Sequence, residues 1–131
     1  MTIIDVDSFS LFALHFASGA LMLLAFTWLY GRLTPYSERE AVEKGELTGV
    51  LPMLGAQVGF TAVLVTAQSV SVGYADFLVW GAVAGLAQIL LFQALARAMP
   101  NLNGGKNLAA SLVSAVGSLC VAALNAVSLV P

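Results

Sequence analysis

The chain has 131 residues, of which 60% are apolar and 9% charged, and its formal net charge is −2. A soluble domain normally carries about 25% charged residues, and so apolar a chain in water would expose patches large enough to aggregate. Composition therefore excludes an ordinary soluble domain, and the small net charge offers no basis for nucleic-acid binding.

Taken in order, the chain opens with Asp5 and Asp7 and no basic residue. That does not match a cleavable signal peptide, so the first apolar run is expected to stay in the mature protein. Four runs reach the roughly 20 apolar residues that a span requires, at residues 9–30, 49–70, 77–98 and 108–129. His15 lies in the outer third of the first run. The following loop holds Arg32, Arg39 and Lys44. Within it Pro35 ends the first helix or starts the next, and Ser37 with Glu40 fits a capping box. A short helix over about 38–44 is expected next, closed by Gly45. Its residues Glu38, Arg39, Glu40, Glu43 and Lys44 make it charged nearly all round, a candidate partner-facing surface. The second run is the least hydrophobic, with Gln57, Thr61, Thr66 and Gln68. Asp76 is expected to N-cap the third helix, where a carboxylate also suits the helix dipole. Arg97 and Lys106 bracket the turn before the fourth run.

All five basic residues fall in the first and third loops. The positive-inside rule then makes both loops cytoplasmic, with the N- and C-termini on the periplasmic or outer side. Trp28, Tyr30 and Tyr36 mark the inner boundary, Tyr74 and Trp80 the outer one. The halves also resemble each other. Arg32-Leu-Thr-Pro35 matches Arg97-Ala-Met-Pro100, and Glu46-Leu-Thr-Gly-Val50 matches Asn107-Leu-Ala-Ala-Ser111. The expected fold is an all-α membrane protein in a single transmembrane domain over 1–131. Four transmembrane helices form two parallel-repeat hairpins, 9–70 and 77–129, with the short cytoplasmic helix between helices 1 and 2.

In lipid, helices associate through close approach of small residues and through interhelical hydrogen bonds. The expected packing stripes are Gly55 and Gly59 continued by Ala62 and Thr66, then Gly81 and Gly85 continued by Gln88. On the fourth helix the stripe is Ser111, Ser114, Ser118, Ala122 and Asn125, leaving Leu112, Val116, Leu119 and Ala123 outward. Gln57 and Thr61 are expected on one stripe running through Leu64 to Gln68. An unpaired amide in hydrocarbon costs several kcal/mol. His15, Gln57, Thr61, Gln68, Gln88, Asn107 and Asn125 are therefore candidates for interhelical hydrogen bonds or for a polar path. No Asp, Glu, Lys or Arg lies deep in a span, unlike most ion-coupled transporters.

No catalytic set emerges. One His and one Cys make neither a zinc site nor a nucleophile pair, and Gly104-Gly105-Lys106 lacks the rest of a phosphate loop. No catalytic, cofactor or metal residue is expected, and the cysteine, Cys120, can form no intrachain disulfide.

Several scattered residues resemble a known family. They are Arg32-x-Thr-Pro35-x-x-Glu38, Asp76-x-x-x-Trp80-Gly81 with Gln88, Pro100, and Asn107-x-Ala-Ala110 with Asn125-Ala126. The chain looks like a member of the bacterial domain-of-unknown-function 350 family, the YjfL-like inner-membrane proteins, over about three-quarters of its length. It departs from the pattern at Glu46, where the first hairpin of relatives often has Asn. The resemblance implies four spans built as a duplicated hairpin and a bacterial inner-membrane location. It also implies company with envelope-stress components, among them membrane-remodelling proteins and ATP-grasp ligases. The expected function is a non-enzymatic scaffold in the lipid bilayer, homo-oligomeric, with a cytoplasmic protein partner. The alternative is a small channel or transporter lined by Gln57, Thr61, Gln68, Gln88, Ser114, Ser118 and Asn125.

Overall fold

The computed structural model describes residues 6–33, 38–98 and 108–130, and within them the chain forms five helices. These are α1 (Val6–Leu33), α2 (Glu38–Lys44), α3 (Leu47–Val70), α4 (Tyr74–Ala98) and α5 (Leu108–Leu129). Four of them, α1, α3, α4 and α5, are long and apolar enough to cross a membrane. α1 extends three residues beyond its apolar run at each end, and α4 begins three residues early. A hydrogen-bonded helix does not stop where hydrocarbon stops; it continues through the interface until a cap or a breaker ends it. Pro35, Ser37 of the expected capping pair, Pro100, the Gly104–Lys106 turn and Asn107 lie outside the described residues.

α2 ends in a Schellman motif. Gly45 has φ +70°, its N–H donates to the Val42 carbonyl at 3.2 Å, and the Glu46 N–H donates to the Ala41 carbonyl at 2.8 Å. Glycine takes this left-handed turn without a Cβ penalty, so α2 folds directly onto α3. Ala41 is buried there, and Arg39, Glu40, Glu43 and Lys44 turn outward.

A three-residue turn, Ser71 to Gly73, joins α3 to α4. Asp76 is not the N-cap: it sits inside the first turn of α4 and its Oδ2 accepts the Val72 N–H at 3.1 Å. The carboxylate thus closes the turn ahead of the helix while still lying near its positive end.

α3 is the axis of the bundle. Its buried residues include Pro52, Gly55, Gly59, Val63 and Ala67. The expected continuation of the glycine stripe through Ala62 and Thr66 is therefore corrected to Val63 and Ala67. Ala62 is exposed and Thr66 half-buried. Spacing by four from Gly59 keeps a residue on the inner face, and in lipid a valine buries there as readily as a small residue.

α3 and α5 pack most extensively and run in the same direction, as the contacts of Gly55 with Ala115 and Gly59 with Ala122 require. A methyl on Gly55 would stand 2.6 Å from both the Cα and the carbonyl oxygen of Ala115, so the two backbones touch. α4 runs opposite to both, with Gly85 seated on Phe60 and Gly81 near Leu64. α1 runs parallel to α4 and is held mainly by rings. Phe26 stacks on Phe60 at 4.2 Å between centroids, and Tyr30 meets Phe92 at 5.1 Å. Beside these rings an open apolar cleft of about 280 Å³ separates α1 from α4, lined by Met22, Phe26, Phe60, Gly81 and Ile89 among others. Phe9, Phe12, Phe16, Leu21 and Leu24 of α1 face outward.

Candidate functional site

The polar chemistry within the spans gathers where α3, α4 and α5 meet. It begins with a proline. Pro52 is buried inside α3 and has no N–H to give the Thr48 carbonyl, one turn before it. The Ser111 hydroxyl of α5 donates to that carbonyl instead. This is the usual way a membrane helix accommodates proline: a neighbouring hydroxyl satisfies the carbonyl that the ring leaves behind.

The α5 stripe then climbs through Ser114, Ser118 and Ala122, all buried, to Asn125. Asn125 Nδ2 donates to the Ala84 carbonyl on α4 at 2.7 Å. Leu112, Val116, Leu119 and Ala123 face outward. Gln88 projects from α4 toward Gly59 and the Ser118 backbone and is only 2% exposed. Its Nε2 lies 3.0 Å from the point where a Cβ on Gly59 would stand, and the Ser118 carbonyl oxygen lies 3.3 Å from the same point. Glycine at 59 therefore admits the amide between three helices. Gly55, Gly59, Gly81 and Gly85 are all buried, but they do different work. Gly55 meets backbone, Gly59 meets Ala122 and the Gln88 amide, Gly85 meets a ring, and Gly81 meets the flexible end of Met22.

The remaining amides do not join this junction. Gln57 turns toward α1, where its Nε2 donates to Thr27 Oγ1 at 3.2 Å. Thr61 is exposed and returns its hydroxyl to the Gln57 carbonyl at 2.8 Å; Gln68 is also exposed. The expected stripe from Gln57 through Thr61 and Leu64 to Gln68 is thus split, because Leu64 is buried while Thr61 and Gln68 are on the outer face. At the other end of α1, His15 Nδ1–H donates to the Leu11 carbonyl at 2.8 Å. The ring packs edge-on against Tyr74 and beside Phe77. The Ser18 hydroxyl and the Tyr74 hydroxyl share a hydrogen bond. His15 therefore belongs to the seam between α1 and α4.

α2 forms a separate surface. Arg39 pairs with Glu43 and Lys44 with Glu40, both at 3.2 Å and both one helical turn apart. Val42 stands exposed between the pairs.

Sequence reasoning missed three elements of this arrangement: the Pro52–Ser111 relation, the Thr27–Gln57 contact and the Ser18–Tyr74 pair. A proline inside a span is a signal for the first, since it demands a donor from elsewhere. The other two carry no signal in spacing alone.

The chain matches the family model described as Domain of Unknown Function (DUF350) over residues 4–129. It is 27% identical over 124 residues to the UPF0719 inner membrane protein YjfL of Escherichia coli strain K12, and to the same-named protein of strain O157:H7. Each alignment covers 92% of this chain and 94% of the relative. No solved structure matches. Together with four helices of membrane-spanning length and the polar junction between them, the match over nearly the whole chain shows that this protein belongs to the DUF350 family of membrane proteins.

Proposed function

We propose that the protein is a non-enzymatic component of the bacterial inner membrane, an oligomeric scaffold that offers α2 to a soluble partner in the cytoplasm. The observation that carries this reading is how α2 is held. The Schellman turn at Gly45 and the buried Ala41 anchor it on α3, and four paired charges around Val42 point away from the bundle. An isolated seven-residue helix is unstable in water, so anchoring is what gives this surface a fixed shape. The bias of basic residues toward the loops at this end supports a cytoplasmic side for α2. The outward face of α1 supplies surface for a second copy. Among the envelope-stress components that the family resemblance implies, such a protein would hold a soluble partner at the membrane.

The test combines mass and contact. In lipid nanodiscs the protein should have the mass of two or more copies. A photo-cross-linker at Val42 should yield an adduct with a soluble protein in cells, whereas one at Val58, on the outer face of α3, should not. A strictly monomeric protein with no Val42 adduct would overturn the reading.

A small channel or transporter is the second reading. The buried polar groups of Gln88, Ser114 and Ser118 favour it, since a path needs such groups at mid-depth. Liposomes containing the protein should then pass a small polar solute, and Gln88→Leu should slow that flux. Flux equal to empty liposomes, unchanged by the variant, removes this alternative.

A further inference from the structure

Hydroxyl groups on these helices ordinarily satisfy themselves. Thr27, Thr61, Thr66, Ser69 and Ser128 each donate to the carbonyl four residues earlier. That route is open to any helical serine or threonine. Ser114 and Ser118 do not take it. Their hydroxyl oxygens are buried and have no hydrogen-bond partner among the described residues. On α4, neither the Nε2 nor the Oε1 of Gln88 has a partner among those residues, although Gln88 is 2% exposed. Three side chains from two helices thus leave their polar atoms unmatched, and the Gln88 amide and the Ser118 backbone meet beside Gly59. Each such atom is costly to leave bare at membrane depth.

We propose that this junction is an internal hydration site. A water molecule accepts a hydrogen bond from Gln88 Nε2–H and donates to the unmatched hydroxyl oxygen of Ser118, a residue whose backbone lies near that amide beside Gly59. The Ser114 hydroxyl, one turn earlier on the same stripe, is the other unmatched group on this face of α5. Buried waters characteristically sit among two to four otherwise unmatched polar groups, as here. The ligand is neutral, because the groups that face it are amide, hydroxyl and carbonyl, with no carboxylate to balance a cation; an uncompensated charge would cost far more. The site rests neither on the scaffold reading nor on conduction, since one enclosed water needs no path.

Solid-state NMR of the lipid-reconstituted protein tests it, with glutamine side chains labelled and the Gln88 signal assigned by its loss in Gln88→Met. The Gln88 side-chain amide should show a cross-peak to water despite its depth. That cross-peak should be lost in the Ser114→Ala/Ser118→Ala double variant while the backbone spectrum persists. If the double variant does not fold, the wild-type cross-peak decides alone. Three results overturn the proposal. One is no water cross-peak with the amide protons coupled directly to Ser118, a dry junction. Another is a shift of the Gln88 and Ser118 signals on adding sodium or potassium, a cation site. The third is a cross-peak undiminished in the double variant.

Discussion

At the scale of single residues, the glycines are unequal, and the atoms they face rank them. A methyl at Gly55 would meet the Ala115 backbone at 2.6 Å, which nothing but separation of α3 from α5 can relieve. A methyl at Gly81 would clash with the terminal carbon of Met22, which can swing into the adjoining cleft, and would touch Leu64 only at ordinary contact distance; one at Gly19 meets nothing within 4 Å. Gly55→Ala should therefore destabilise the fold by about 1–3 kcal/mol, the range for overpacking, and Gly81→Ala by less. Gly19→Ala should be neutral. Reversible unfolding of the three variants in mixed micelles or bilayers reads this order, and equal effects at Gly55 and Gly19 would contradict it. The Pro52–Ser111 relation yields a second, sharper expectation. Ser111→Ala removes the donor to the Thr48 carbonyl and should cost about 1–2 kcal/mol, in the range of hydrogen bonds between membrane helices. In a Pro52→Ala background the helix has its own N–H again, so the same substitution should cost clearly less. The double-mutant cycle isolates that coupling, and additive effects would mean that proline is not why Ser111 is there.

At the scale of elements, the four spanning helices differ in how firmly they are held. α3 packs against all the others, whereas α1 keeps to the bundle through a few rings, Thr27 with Gln57, and Ser18 with Tyr74. Segments with few buried contacts open first. Ser18→Ala combined with Tyr74→Phe removes the hydroxyl link and keeps the ring that His15 packs on. Amide exchange along the outer half of α1 should then quicken while α3 and α5 stay protected; uniform acceleration through all helices would show that α1 is not a separate unit. Much of this arrangement is legible in the sequence. Span existence follows from composition, and the inner face of α5 follows from serines at helical spacing, because a hydroxyl in hydrocarbon has reason to turn inward. The inner face of α3 is not so legible. Val63 and Ala62 are both compatible with lipid, so no solvent preference separates them, and only the backbone geometry beyond Gly59 selects Val63. Thr61 illustrates the same limit from the polar side: its hydroxyl bonds the Gln57 carbonyl, so it can sit outward without a partner on another helix. A polar residue at membrane depth therefore marks an interior face most surely when its own helix cannot satisfy it. Asn125 and Gln88 meet that condition.

At the scale of the molecule, the helix directions bear on how the chain sits in the membrane. α1 runs with α4 and α3 with α5, so the α3–α4 turn lies at one end of the bundle and α2 at the other. The orientation is then a single choice, made by charge. Arg32, Arg39 and Lys44 cluster at the α2 end, with the Arg32 guanidinium over the Trp28 ring at 5.0 Å, an arrangement suited to the headgroup boundary. The opposite turn, Ser71 to Gly73, carries no base and leaves Val72 almost fully exposed. A cysteine-free background follows from Cys120→Ala, since that residue is exposed and unpaired. In it, Val42→Cys should react with a membrane-impermeant maleimide only in inside-out vesicles, and Val72→Cys only in intact spheroplasts. The reverse pattern would turn the protein over, put α2 outside the cell, and remove the cytoplasmic partner from the scaffold reading. Labelling of both positions from both sides would mean that the chain inserts in two orientations, as five basic residues spread over two short loops would permit if their bias were too weak to decide.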